Sequence, residues 1–332
     1  MIISKTPFRI SFFGGGTDYP VWYREHGGAV LTTSINKYCY ITCRHLPPFF
    51  EYKYRIVYSK AEQTENVSDI KHSSVREVLN FLDINEGIEI HHDGDLPART
   101  GIGSSSSFTV GLLNVLYALK GKMVTKRGLA LDAIHIEQDI IKENVGSQDQ
   151  TIASYGGFNK IEFGGTQEIQ IRPIVINPAK SQLLQNHLML FFTGISRTAS
   201  EIAKEQIGKT RDKEKELNRM LEMVEDAANI LNGRDSDIVY FGKLLHESWM
   251  IKKSLTNRIS TPQIDKIYDT ALNAGAVGGK LLGAGGGGFI LFFVEPKCQY
   301  AVKEKLRNLL YVPFKFENSG SQIIYYDTED DF

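Results

Sequence analysis

The segment PARTGIGSSSS at residues 97–107 constrains this chain more than any other, because it sets two glycines and four consecutive serines directly before an apolar helical pattern. Phe108, Leu112, Val115, Leu116 and Leu119 recur at helical spacing, so a buried helix is expected to begin among the serines. A helix start carries unpaired N–H groups and the positive end of the peptide dipole, which together bind anions. Gly101 and Gly103 permit close backbone approach to such an anion, and the hydroxyls of the serines add hydrogen bonds. The plainer reading is a serine cap after a flexible turn. Two familiar phosphate loops are excluded. A Walker A loop near Lys280 would have Ala274 in place of its first glycine and Leu281 after the lysine, and a dinucleotide fingerprint starting at Gly101 would have Ser106 as its third glycine.

Lys and Arg number 38 against 39 Asp and Glu in 332 residues, so there is no general basic field to hold a nucleic acid. The start, MIISKTPFRIS, lacks a secretory pattern, and no run approaches the roughly 18 apolar residues of a membrane span. A cytoplasmic protein with no membrane partner is expected. Cys39 and Cys43 lie in the alternating stretch KYCYITC and read as core residues on one strand face, without further ligands for a metal.

Along the chain, residues 1–13 and 28–45 read as strands, 126–144 as a helix with Glu137 in its apolar stripe, and 186–193 as another strand. Residues 198–232 read as one long charged helix or a helical hairpin. Thr261 and Pro262 open a helix to about Asn273, and GKLLGAGGGGFILFFV is a glycine-rich turn into a buried strand. Pro173 and Pro178 put a domain boundary near 175–185, giving domains of 1–180 and 181–332.

Read together, PFRISFFGGGTDYP at 7–20, PARTGIGSSSSF at 97–108 and GGKLLGAGGGGF at 278–289 resemble the three ordered motifs of the galactokinase, homoserine kinase, mevalonate kinase and phosphomevalonate kinase (GHMP) family. Ile102 stands where the family's phosphate loop has leucine. The resemblance runs from residue 7 to about 293. It implies an α+β fold: an N-terminal domain like domain 2 of ribosomal protein S5, a ferredoxin-like C-terminal domain, and ATP and substrate in the cleft between them.

It also implies roles. Asp149 in GSQDQ matches the family's general base, and Arg9 stands where many relatives have a lysine beside it. Pro97, Gly101, Gly103, Ser104, Ser105, Ser106 and Ser107 would cradle the ATP phosphates, with Glu137 and a loop serine, Ser105 or Ser104, on Mg2+. A carboxylate such as Glu137 on a buried stripe independently calls for a cation or ion-pair partner. Gly16, Thr17, Asp18, Gly285 and Gly286 would line the substrate. A bound sugar phosphate needs a second cationic site, for which Arg197 in TGISRTAS is a candidate, with Lys37, Arg44 and Arg99 equally basic. Asp18 reads equally as the cap of a helix at 19–25. GGGTDYP with Arg9, GSQDQ and TGISRTAS looks most like the kinases of D-glycero-D-manno-heptose 7-phosphate, which act on the anomeric hydroxyl. The implied partners are thus ATP, Mg2+ and a small-molecule sugar phosphate, with a homodimer left open. Another small-molecule kinase of the family, or a silent sugar sensor, are the alternatives.

Overall fold

Two long antiparallel strands, β1 (Ile2–Phe13) and β2 (Gly28–His45), organise the first half of the chain, as their Ile, Phe, Val, Thr and Tyr content predicts. The computed structural model describes residues 1–165, 168–195, 199–233 and 237–327. Around the first pair gather β3 (Tyr54–Val57), β4 (Ala61–Thr64), β5 (Ile88–Gly94), β6 (Phe158–Phe163) and β7 (Ile169–Pro173). A second sheet of β8 (Leu188–Phe192), β9 (Ala276–Leu281), β10 (Phe289–Val294) and β11 (Leu310–Tyr311) is antiparallel, in the order β11-β8-β10-β9. The chain then returns: β12 (Phe316–Glu317) pairs with β2, and β13 (Gln322–Tyr326) pairs with β1. A division at residue 180 therefore does not separate the two sheets.

The helices are α1 (Pro20–His26), α2 (Ser73–Phe81), α3 (Ser104–Leu119), α4 (Lys126–His135), α5 (Gln148–Tyr155), α6 (Pro178–His187), α7 (Ala199–Gly208), α8 (Glu214–Asn232), α9 (Val239–Leu255), α10 (Pro262–Asn273) and α11 (Pro296–Lys305). The fold is α+β. Pro178, read from sequence as an interruption, is the first-turn proline of α6 behind the Asn177 cap. The charged stretch 198–232 is broken at the single turn Thr210–Lys213 into α7 and α8. The helix expected over 126–144 is regular only to His135 and then widens into a π turn, Ile136–Ile140, where the Ile141 N–H reaches back to the Ile136 carbonyl. Cys39 and Cys43 are buried on β2, as expected.

The sheets share one apolar core. Phe12 and Phe13 at the end of β1 meet Phe241 of α9 edge-on at 5.4 and 5.1 Å, and Phe241 continues to Phe293 of β10. Such aromatic packing holds the end of β1, and what lies beside it, against the second sheet.

Candidate active site

The site is assembled where β1, the start of α3 and the start of α5 converge. In the phosphate loop, Gly103 caps α3 in the left-handed region, at φ 75°, and a Cβ there would lie 3.1 Å from Arg9 Cγ. Arg9, on β1, is buried and donates its backbone N–H to the Ile102 carbonyl. Its guanidinium forks onto Asp149, Nε to Oδ1 at 2.7 Å and Nη2 to Oδ2 at 2.8 Å, while Nη1 reaches the Gly101 carbonyl at 2.7 Å. One side chain thus fixes both the carboxylate and the loop, a geometry that lysine's point charge cannot reproduce. The Asp149 side chain keeps 24 % exposure, so one flank stays open.

Asp18 lies just behind. Oδ1 accepts from the Gly16 N–H and Oδ2 from Gln148 Nε2, both at 2.8 Å, and its carbonyl takes the Ser147 N–H. The turn GGGTDYP is thereby stitched to α5. Burial, first of all, and the nearby Asp149 charge push the Asp18 carboxyl above its ordinary range. It is not a helix cap, since Tyr19 occupies that position in α1 without side-chain capping.

Glu137 sits in the π turn with 1 % exposure. Ser106 Oγ donates to its Oε2 at 2.8 Å, Gln150 Nε2 donates to the same oxygen, and Oε1 has no partner among the described residues. Burial pushes the carboxyl up to about 7, against the hydrogen bonds it accepts. Among the described residues no arginine pairs with it. The orphaned oxygen is the kind of donor a divalent cation would satisfy. The serine beside Glu137 is Ser106, whereas Ser105, expected to share the metal, is exposed.

The other expected residues lie as follows. Thr17 Oγ1 is engaged by the Gly14 and Ala29 carbonyls and the Ala29 N–H, and it is fully buried, so it holds the turn. Ser107 gives its hydroxyl to the Pro7 carbonyl and pins α3 to β1. Ser104 closes the loop by accepting the Arg99 N–H, and the Pro97 carbonyl accepts the Thr100 hydroxyl. Gly16 faces Gln206, its N–H spent on Asp18. In the C-terminal loop, Gly285 packs against Ile259 and Gly286 gives its N–H to the Ile259 carbonyl, so neither faces the phosphate loop. Gly283 does: its Cβ would fall 2.4 Å from Gly101 Cα. Arg197 lies outside the described residues.

Two buried lysines complete the site. Lys280 Nζ donates to the Phe12 carbonyl at 2.6 Å, and Lys252 Nζ donates to the Gly283 carbonyl. Burial, then the neighbouring cations Lys252 and Arg9, hold the Lys280 ammonium well below the usual lysine range. The sequence offered one signal for Lys252: it falls on the buried stripe of α9 with Leu245, Trp249 and Leu255, where an ordinary lysine would be costly.

A glycine-capped helix start, a forked Arg–Asp pair and a buried carboxylate with an open oxygen are the parts that a small-molecule phosphotransferase site needs. Comparison with known proteins agrees. GHMP kinases N terminal domain matches residues 71–157, and GHMP kinases C terminal matches residues 217–312. The D-glycero-alpha-D-manno-heptose 7-phosphate kinase of Campylobacter jejuni is 29 % identical over 316 residues, spanning 92 % of this chain and 93 % of that protein. A galactokinase of Pyrococcus furiosus is 28 % identical, spanning 89 % of each. The crystal structure of a D-glycero-D-manno-heptose 1-phosphate kinase from Bacteroides thetaiotaomicron superposes with a TM-score of 0.78 at 24 % identity, over 99 % of this chain and 100 % of that one. The chain belongs to the GHMP kinase family and is an ATP-dependent kinase.

Proposed function

We propose that this kinase transfers the terminal phosphoryl group of ATP to the anomeric C1 hydroxyl of D-glycero-α-D-manno-heptose 7-phosphate. The observation that carries the reading is the Arg9–Asp149 fork beside the phosphate loop. An acceptor hydroxyl approaching the open flank of Asp149 gives its proton to that carboxylate while its oxygen bonds to the γ-phosphorus. The bond from that phosphorus to the bridging oxygen breaks, and ADP leaves with the electron pair. Arg9 orients both carboxylate oxygens and fixes the loop that holds the phosphates. N–H groups at the start of α3 face the accumulating negative charge.

Glu137, with Ser106 beside it and Ser105 at the loop surface, would hold a Mg2+ ion, which supplies positive charge to the nucleotide phosphates. Asp18, hydrogen-bonded to the same α5 that carries Asp149, is the group for sugar hydroxyls, and Arg197 is the candidate for the distal phosphate. The heptose assignment rests on the Campylobacter relative and on GGGTDYP, where galactokinases carry Glu-His-x-Asp. The galactokinase relative keeps a plain hexose as the competing acceptor.

A coupled ADP-release assay with Mg2+-ATP across heptose 7-phosphate, unphosphorylated heptose, L-fucose, galactose and mevalonate tests this. Turnover on the heptose 7-phosphate, falling by about 10²- to 10⁴-fold in Asp149→Asn, is expected. Preference for another acceptor discards the substrate, and an Asp149→Asn variant that retains full turnover discards the base.

A further inference from the structure

The two glycine loops meet at Thr100 with Gly288 and at Gly101 with Gly283, and a cation holds each side of the second contact. Gly101 and Gly283 approach so closely that a Cβ on Gly101 would lie 2.4 Å from the Leu282 carbonyl oxygen. Arg9 donates to the Gly101 carbonyl from the first sheet, and Lys252 donates to the Gly283 carbonyl from α9. Lys253, the next residue, turns outward to Asp265, so the inward course of Lys252 is set by its place on the buried stripe.

Lys252 is 6 % exposed and, among the described residues, has no ion-pair partner. The charged groups facing it are Arg9 from β1, Asp18 from the following turn, Asp149 from α5 and Lys280 from β9. Arg9 has already spent its fork on Asp149, and Asp18 is hydrogen-bonded to Gly16 and Gln148. Asp18 and Asp149 favour the ammonium from a distance, but it is bonded to one neutral carbonyl, keeps donors to spare and has no direct countercharge among the described residues.

We propose that Lys252 is a positioning residue for phosphoryl transfer, clamping the C-terminal glycine loop to the phosphate loop opposite Arg9, with its missing countercharge supplied by the anionic nucleotide. This rests on the phosphotransfer reading above. The physical consequence is a link between protonation and binding. Burial, followed by the charge of Arg9, lowers the Lys252 ammonium to about 8 in the free protein. Because only the charged form gives the Gly283 carbonyl a charge-assisted bond and offers positive charge to the nucleotide, kcat/KM falls as pH rises through that value. An anion bound nearby favours the ammonium, so the corresponding limb of kcat lies at higher pH and nucleotide binding takes up protons.

The experiment compares wild type with Lys252→Met and Lys252→Arg. Met should lower kcat/KM for Mg2+-ATP by about 30-fold or more at pH 7 and abolish the alkaline limb near 8. Arg, which stays ionised, should restore activity to within about fivefold and move the limb beyond pH 10 or so. A merely structural lysine would change amount folded and melting temperature but leave the shape of the pH profile intact. Titration calorimetry with Mg2+ and the non-hydrolysable analogue AMPPNP, in two buffers of different ionisation enthalpy at pH 8.3 or so, should show proton uptake in wild type that is absent in Arg and in Met. This readout needs no acceptor, so it stands even if every sugar fails as substrate. If Met does not fold, the Arg comparison decides. Equal proton uptake in wild type and Arg, or an alkaline limb that persists in Arg, overturns the proposal.

Discussion

Glu137 carries a cost in stability that a bound cation would relieve. Its folded carboxyl stands near 7 against an ordinary value of 4.5, so the folded state holds a proton that the unfolded chain has lost between those values. Stability without ligand therefore falls as pH rises from about 4.5 to about 7 and stays lower above it. Glu137→Gln removes the ionisation and should raise the stability of the ligand-free protein at pH 8 by at most about 3 kcal/mol, the free-energy equivalent of the shift. Thermal unfolding without Mg2+ or nucleotide measures this. The same variant should lose most of its turnover and the added stabilisation that Mg2+-nucleotide confers on wild type. A variant both less stable and fully active would show that the carboxylate is structural. The buried position of Glu137 was legible in the apolar stripe of its helix, whereas the choice of Ser106 over Ser105 as its neighbour was not. Four consecutive serines are alike in sequence, and the rotation of α3 against the π turn selects among them.

At the level of elements, the loop before α3 is a junction of three pieces of chain. Gly103 has to take a positive φ and leave room for Arg9 Cγ on one side and Asp149 Cγ, 3.5 Å from a built Cβ, on the other. Gly103→Ala should cost about 1–2 kcal/mol from the left-handed backbone, and it should push the Arg9–Asp149 fork out of line. Turnover should drop by about 10²-fold, by the usual penalty for misplacing reacting groups by an ångström, with urea denaturation showing only the modest loss of stability. Helix α3 itself was readable from 104 to 119 because its signal is local: apolar residues at helical spacing and a cap glycine. The π turn after His135 was not, because the stripe in sequence continues through Ile140 and Ile141 as if the helix were regular. Widening the turn redirects the chain between α4 and α5, a demand that comes from packing and not from residue preference.

Over the whole molecule, the two sheets are expected to unfold together. Phe12, Phe13, Phe241 and Phe293 run through one core, and β12 and β13 carry the C-terminal segment back onto β2 and β1. Truncation after Lys315 would uncover the edge of β1 and remove Phe316, which packs on Phe12 and Phe158. Differential scanning calorimetry of the full chain should give one cooperative transition, and the truncated chain should melt at least several degrees lower, as a loss of about 2–4 kcal/mol implies. Two separate transitions in the full chain would mean that the shared core does not couple the sheets. No helix among the described residues is long and apolar enough to cross a membrane.

Asp149 and Arg9 were singled out by the resemblance of their motifs to a known family, while the sequence by itself determined the three glycine-rich turns, their order, the start of α3 among the serines and the place of Glu137 on a buried stripe. These are local properties, written in spacing and in residue type. Tertiary structure decided that Thr17 and Ser107 are spent on backbone carbonyls, that Gly283 and not Gly285 or Gly286 meets the phosphate loop, and that Lys252 enters the site from α9. Each depends on contacts between segments tens to hundreds of residues apart, and a hydroxyl or an ammonium has the same sequence signature whether its partner is a neighbouring carbonyl or a ligand.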